Sequence, residues 1–427
     1  MTLLKPADLE PADPRVAWLS EEDAGRRGRF HAAAIRHRAY EPRDSEPCDI
    51  SMVPRVVTAR QARSLEGIVG RIIQASIDFA LDSREAHHGD GGNCEGYSLG
   101  WIAGQTRRLP DQLLGNARFD FLPQGNDLKL LEAGWVNLSA VDYAPQAALA
   151  LLDSVPDLAA EFDVLRPATR MKARLEEQGV RRLAILVKDD HSPYAENDWE
   201  LIREVLAPIE SVVISERDFG ELHCDQAGRV WFGGAGIDGI YLRALDGPAA
   251  FAGHHALRNR ETLAMLLGAE VTFLDHPLLL LAEDKDLSFL TDRDPGLAEV
   301  VPAMRPARGA SAADAEEWVL KLRDRHSGEG VFFDGCDFEE HRDDPSAILQ
   351  ERLRANHFPV NTLHGHRGTA ITDLAVHVSY RYDVATRTVL TAEIAGYFSR
   401  FTREGLRVNL CTGGGIVPVL TERGAQP

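Results

Sequence analysis

The chain has 427 residues, 44% hydrophobic and 26% charged, a composition that fits a globular protein of two or three domains. Its 47 Lys and Arg against 66 Asp and Glu leave a net charge of −19. That balance excludes the broad cationic footprint that nucleic acid or an anionic membrane requires, but not an anionic small molecule in a locally basic cleft.

The cysteines (Cys48, Cys94, Cys224, Cys336 and Cys411) are scattered and form no CxxC pair. Neither a structural zinc site nor a disulfide framework is expected, and a reducing cytoplasm is the expected compartment. The opening MTLLKPADLEPADPR lacks the apolar run of a signal peptide, and the greasiest stretch, HPLLLLAEDK, is too short to span a bilayer.

Along the chain, residues 1–55 are rich in Arg, Asp and Pro and read as an irregular arm. From Thr58, a plausible N-cap, Leu65, Ile68, Val69, Ile72, Ile73, Ile77, Ala80 and Leu81 recur at helical spacing. The glycine-rich HHGDGGNCEGYSLG follows as a loop. ARFDFL and LKLLEA read as strands joined by the turn PQGND.

After Ala168 helix and strand alternate. RMKARLEEQG and ENDWELIREVLAP are helical, and RRLAILVK and ESVVIS are buried strands; RVWFGG and GIDGIYLRA complete a compact α/β unit ending near Leu245. The helix RNRETLAMLLG and strand EVTFLD lead into a third, strand-dominated segment, so the whole reads as α/β and α+β with an antiparallel sheet.

Gly234, Gly236 and Gly239 in GGAGIDG satisfy G-x-G-x-x-G. A dinucleotide fingerprint needs a helix to begin there, whereas IYLRA continues as a strand, so a hairpin turn is expected and a nicotinamide-dependent oxidoreductase is the weaker alternative. The pairs His87/His88 and His254/His255 lack metal-ligand spacing and read as surface or hydrogen-bonded histidines.

Several modest signals occur in order in the third segment. Lys285 stands at an expected helix start, Lys321 ends the strand EEWVLK before the loop LRDRHSGEG, and Gln350 and Glu351 end the strand AILQE. Arg400 closes EIAGYFSR, and Asn409 precedes the triplet Gly413 to Gly415. Lysines neutralise nucleotide phosphates, a glycine loop can close over them with backbone N–H groups, and carboxylates with an asparagine suit magnesium.

This order, from KLLEA through IDGIYLR, EDKDLSFL, EEWVLKLRDRHSGEGVFF, AILQERL and AGYFSR to CTGGGIVPVL, resembles the circularly permuted ATP-grasp ligases. Eukaryotic-type glutathione synthetase and glutathionylspermidine synthetase are examples. The resemblance runs from about Val56 onward, and residues before it have no counterpart. It implies an ATP-grasp fold with an antiparallel sheet and lid, plus an inserted α/β substrate domain. The implied division is 1–167, 168–250 and 251–427.

The resemblance also implies ATP and Mg2+ as cofactors. Lys285 and Lys321 would contact ATP phosphates beneath a flap carrying Ser327, Gly328 and Gly330, and Gln350, Glu351, Arg352 and Leu353 would form the adenine hinge. Glu132, Glu329 and Asn409 would hold magnesium. The asparagine usual two residues after the metal glutamate is Gly134 here, with Asn137 standing in; in the flap the acid is Asp324 or Glu329, of which Glu329 is favoured. Arg243, Arg400, Asn137, Ser139, Gly413, Gly414 and Gly415 would meet the substrates.

The implied reaction phosphorylates a small amino-acid carboxylate, and an amine then attacks the acyl phosphate, giving a peptide or γ-glutamyl bond with ADP and phosphate. Lys321, Arg243 and Arg400 would stabilise the charge that develops. No nucleophile signature such as G-x-S-x-G competes with this. A homodimer is the expected assembly, and a non-catalytic nucleotide-binding protein of the same fold is the remaining alternative.

Overall fold

The computed structural model describes residues 10–39, 48–87, 98–106, 108–124, 127–136, 138, 140–189, 193–243, 256–323, 330–403, 405, 408 and 414–424. Among them, the central feature is an eight-stranded sheet. Its main path runs Asp49–Ile50, Gly415–Val417, Thr388–Thr402, Leu374–Asp383, Gln112–Gln124 and Asp127–Gly134. ARFDFL and LKLLEA are indeed neighbouring antiparallel strands, though the first extends over Gln112–Gln124.

The long helix Ala59–His87 packs its apolar stripe, including Leu65, Val69, Ile72, Ile73 and Ile77, into the main core. Its start is a reciprocal cap: Thr58 Oγ1 accepts from the Gln61 N–H at 3.3 Å, and Gln61 Oε1 accepts from the Thr58 N–H at 2.9 Å. The amino-terminal segment is not an irregular arm. Asp23 caps the helix Ala24–Arg36, accepting from the Arg26 N–H at 2.9 Å. Val16, Leu19, Phe30, Ala33 and Ala34 are wholly buried in a second core. Its arginines conceal a narrow apolar stripe built mainly of alanines and one phenylalanine.

A four-stranded parallel sheet has the order Thr272–Leu274, Gly239–Arg243, Arg182–Val187, Glu210–Ser215. Its strand Thr272–Leu274 lies past residue 250, the limit expected for the inserted domain. Helices Pro167–Glu177, Pro193–Leu206 and Ala256–Leu267 accompany it.

GGAGIDG is a hairpin, as its sequence suggests. Val230–Phe232 pairs antiparallel with Ala235–Ile237 across Gly233 and Gly234, whose φ angles are 57° and 77°. That turn favours glycine at both positions. Gly239 opens a strand rather than a helix, so no helix N-terminus is available for a pyrophosphate and the nicotinamide reading loses its basis.

A separate antiparallel sheet, ordered Met304–Pro306, Ala347–Glu351, Trp318–Leu322, Val331–Phe332, has its own small core around Leu320, Phe338 and Leu349. No helix among the described residues is long and apolar enough to cross a membrane.

Candidate functional site

The strand Trp318–Leu322 carries Lys321 inward, where it is 8% exposed and donates from Nζ to the Leu131 carbonyl at 3.1 Å. Burial pushes its pKa down to about 8, with Lys285 adding to the effect and Glu132 and Asp120 opposing it. Lys285, Glu132 and Asp120 therefore lie within electrostatic reach of Lys321.

Lys285 is also buried. It does not start a helix: it sits in the turn between Pro277–Ala282 and Ser288–Arg293. Asp284 Oδ1 accepts from the Asp286 N–H at 2.8 Å, and Asp286 Oδ1 from the Ser288 N–H at 3.1 Å, fixing that turn.

Glu132 stands opposite Asp120 in the register of the central sheet. Asp120 accepts from Arg118 Nε at 2.8 Å and from Arg400 Nη2 at 2.6 Å. Arg400 also donates from Nε to Asp373 at 2.7 Å, so its guanidinium joins two buried carboxylates. Burial raises the Asp120 pKa, yet Arg118 and Arg400 prevail and hold it at about 2. Asp373 is held above its ordinary value, pushed up by burial against the pull of Arg400. Burial opposes the charge on Arg400, but Asp373 and Asp120 keep it protonated.

Arg243 ends the parallel strand Gly239–Arg243 and is buried. Its Nη2 lies 3.6 Å from Asp198, whose carboxylate already accepts from the backbone N–H groups of Val141 (3.2 Å), Asp142 (2.9 Å) and Tyr143 (2.9 Å). Nε and Nη1 of Arg243 have no hydrogen-bond partner among the described residues. Nearby, Asp275 adopts φ 68° and accepts on Oδ1 from the Asn116 N–H at 2.6 Å. Burial drives the Asp275 pKa up to about 8, against the Asn116 hydrogen bond and Arg243.

Gln350 pairs with Val319 and is buried, bringing the expected hinge next to the Lys321 strand; Glu351 at its end is exposed. The Arg352 N–H donates to the Glu317 carbonyl at 2.7 Å, and Leu353 lies just beyond the strand. Gly330 closes the base of the preceding loop, accepting from the Leu322 N–H at 2.8 Å. Gly414 is buried beside Gly415. Gly415 is a strand residue rather than part of a mobile loop: a Cβ there would stand 2.4 Å from both the Asp49 carbonyl and the Phe401 ring.

Asn137, Ser139, Asp324, Ser327, Gly328, Glu329, Asn409 and Gly413 lie outside the described residues, as do His88, His254 and His255. Of the expected metal ligands, only Glu132 is therefore placed, and no cluster of three metal-binding side chains occurs among the described residues. Sequence reasoning passed over Arg118, Asp120, Asp373 and His377. The alternation in ARFDFL, which sets Arg118 and Asp120 on one face of an apolar strand, is the signal that could have found the first two.

No family model and no curated protein matches the chain. Among solved structures it is similar to a glutathione synthetase-like effector from Globodera pallida in its apo form. The TM-score is 0.68 at 10% sequence identity, over 96% of this chain and 99% of that one. The fold is therefore glutathione synthetase-like.

Proposed function

We propose that the chain is an ATP- and Mg2+-dependent ligase that joins a small amino-acid carboxylate to an amine through an acyl phosphate. The observation carrying this reading is the burial of Lys321 and Lys285, from separate elements, with Lys321 in electrostatic reach of both Lys285 and Glu132. Two like charges held together away from water are costly, and an anion such as a nucleotide phosphate offsets that cost.

In this reading the Met304–Phe332 sheet with the strand Ala347–Glu351 is the lid, and the loop holding Ser327, Gly328 and Glu329 is its flap. Gln350 through Leu353 line the adenine, while Glu132 holds magnesium with Glu329 and Asn409. Held by those residues, magnesium would supply positive charge that offsets the charge developing on phosphate. Arg243 would offer Nε and Nη1, which have no partner among the described residues, to the carboxylate substrate. Gly413, Gly414, Asn137 and Ser139 would be substrate contacts.

A matrix of amino acids and small amines, assayed for ADP with mass spectrometry of products, tests the proposal. Release of ADP that requires one acid, with an amide product, is expected; AMP and pyrophosphate would point instead to adenylate chemistry.

A second reading, a nucleotide-binding protein without turnover, draws on the two carboxylates already engaging Arg400 and on Gly134 standing where the family carries asparagine. Thermal stabilisation by Mg-ATP with no acid-dependent ADP release would favour it.

A further inference from the structure

His377 lies in the middle of the strand Leu374–Asp383, in register with Arg118 on one side and Gly396 on the other. It is 1% exposed, and neither ring nitrogen has a hydrogen-bond partner among the described residues. Buried polar atoms are almost always paired, and a phenylalanine would fill such a position without leaving two nitrogens unsatisfied. An unpaired imidazole at the heart of a sheet therefore calls for a functional explanation.

Its charged neighbours come from two elements. Arg118 and Asp120 belong to the adjacent strand and Arg243 to the parallel sheet. From the covering helix, Pro167 packs against Gly396, and Arg174 donates from Nε to Ser379 at 3.3 Å, two residues along the histidine's own strand. Burial first, then Arg118 and Arg243, hold the imidazole pKa down at about 3, with Asp120 opposing. The ring is thus a proton-free base between Arg243 and the chain Arg118–Asp120–Arg400.

We propose that His377 accepts the proton lost by the attacking amine, a role that rests on the ligase reading above. The amine nitrogen bonds to the carbonyl carbon of the acyl phosphate formed from ATP. The carbon–oxygen bond to phosphorus breaks, and phosphate leaves with the electron pair. One N–H proton passes to an imidazole nitrogen and then to water. As the nitrogen–carbon bond forms, that N–H becomes far more acidic than in the free amine, so an imidazole suffices. Negative charge of an acyl phosphate near Arg118 and Arg243 would offset the two arginines' share of the effect that suppresses protonation of the ring, burial remaining the larger share.

The test compares the unaltered chain with His377→Gln and His377→Phe. All three receive Mg-ATP and a panel of α-amino acids and their γ-glutamyl conjugates, with either glycine or hydroxylamine as acceptor. Hydroxylamine is a neutral nucleophile at assay pH and depends far less on a base. Amide formation should fall about 100-fold or more in both variants, while hydroxylamine restores acid-dependent ADP release to within a few-fold of the unaltered chain.

Equal losses with both acceptors would assign His377 to binding or folding, and unchanged amide formation would remove it from the chemistry; either overturns the role. Absence of acid-dependent ADP release in the unaltered chain would instead overturn the ligase reading, and this role with it.

Discussion

Lys321 carries a charge that the folded state disfavours. Its folded pKa of about 8 lies below the ordinary 10.5, so stability is lost as pH falls from 10.5 to about 8 and stays lost below. Lys321→Met should therefore raise the stability at pH 7 by about 1–3 kcal/mol, while acid-dependent ADP release disappears. Calorimetry alongside the assay checks both, and a destabilised or active variant would refute the assignment. Asp275 behaves in the opposite sense. Its pKa of about 8 exceeds the ordinary 3.8, so its contribution is fully present below pH 3.8 and erodes as pH rises toward 8. Stability should fall by up to about 1.4 kcal/mol per pH unit across that window. Asp275→Asn keeps an acceptor for the Asn116 N–H and should flatten the slope, which denaturant titration at several pH values will read.

At the level of elements, the helix from Thr58 and the hairpin around Gly233 were legible in the sequence because local periodicity and turn chemistry decide them. The helix Ala24–Arg36 was not, because alanines and arginines give a weak apolar signal and its burial depends on partners distant in the chain. Phe30→Ala should cost about 3–5 kcal/mol, measured as a lowered denaturation midpoint; a surface arm would show no change. The candidate site divides the same way. Lys285, Lys321 and Glu132 could be proposed from the order of short motifs. The charged chain through Arg400 and Asp120 could not, because it joins residues 280 positions apart and exists only once the strands have paired.

Across the whole molecule, an acidic chain buries cations and carboxylates together around the central sheet. With a net charge of −19, the protein repels polyanions at long range, yet it buries Lys285, Lys321 and Arg243 and half-buries Arg400. On the proposed reading, those cations would meet a compact anion such as a nucleotide phosphate. Mg-ATP should raise the melting temperature and NAD should not, because Gly239 begins a strand and the glycine motif forms a hairpin. Equal stabilisation by both would argue against the lysine pair as the nucleotide site.

The most direct measurement follows oxygen atoms through the reaction. The acid substrate is supplied with its carboxylate labelled with a heavy oxygen isotope, together with Mg-ATP and the amine, and the phosphorus products are examined by mass spectrometry. Attack of the carboxylate on the γ-phosphate, as required by an acyl phosphate held at Lys285 and Lys321, predicts transfer of one labelled oxygen into inorganic phosphate alongside ADP. Label appearing in AMP, or phosphate released without label, would contradict the account.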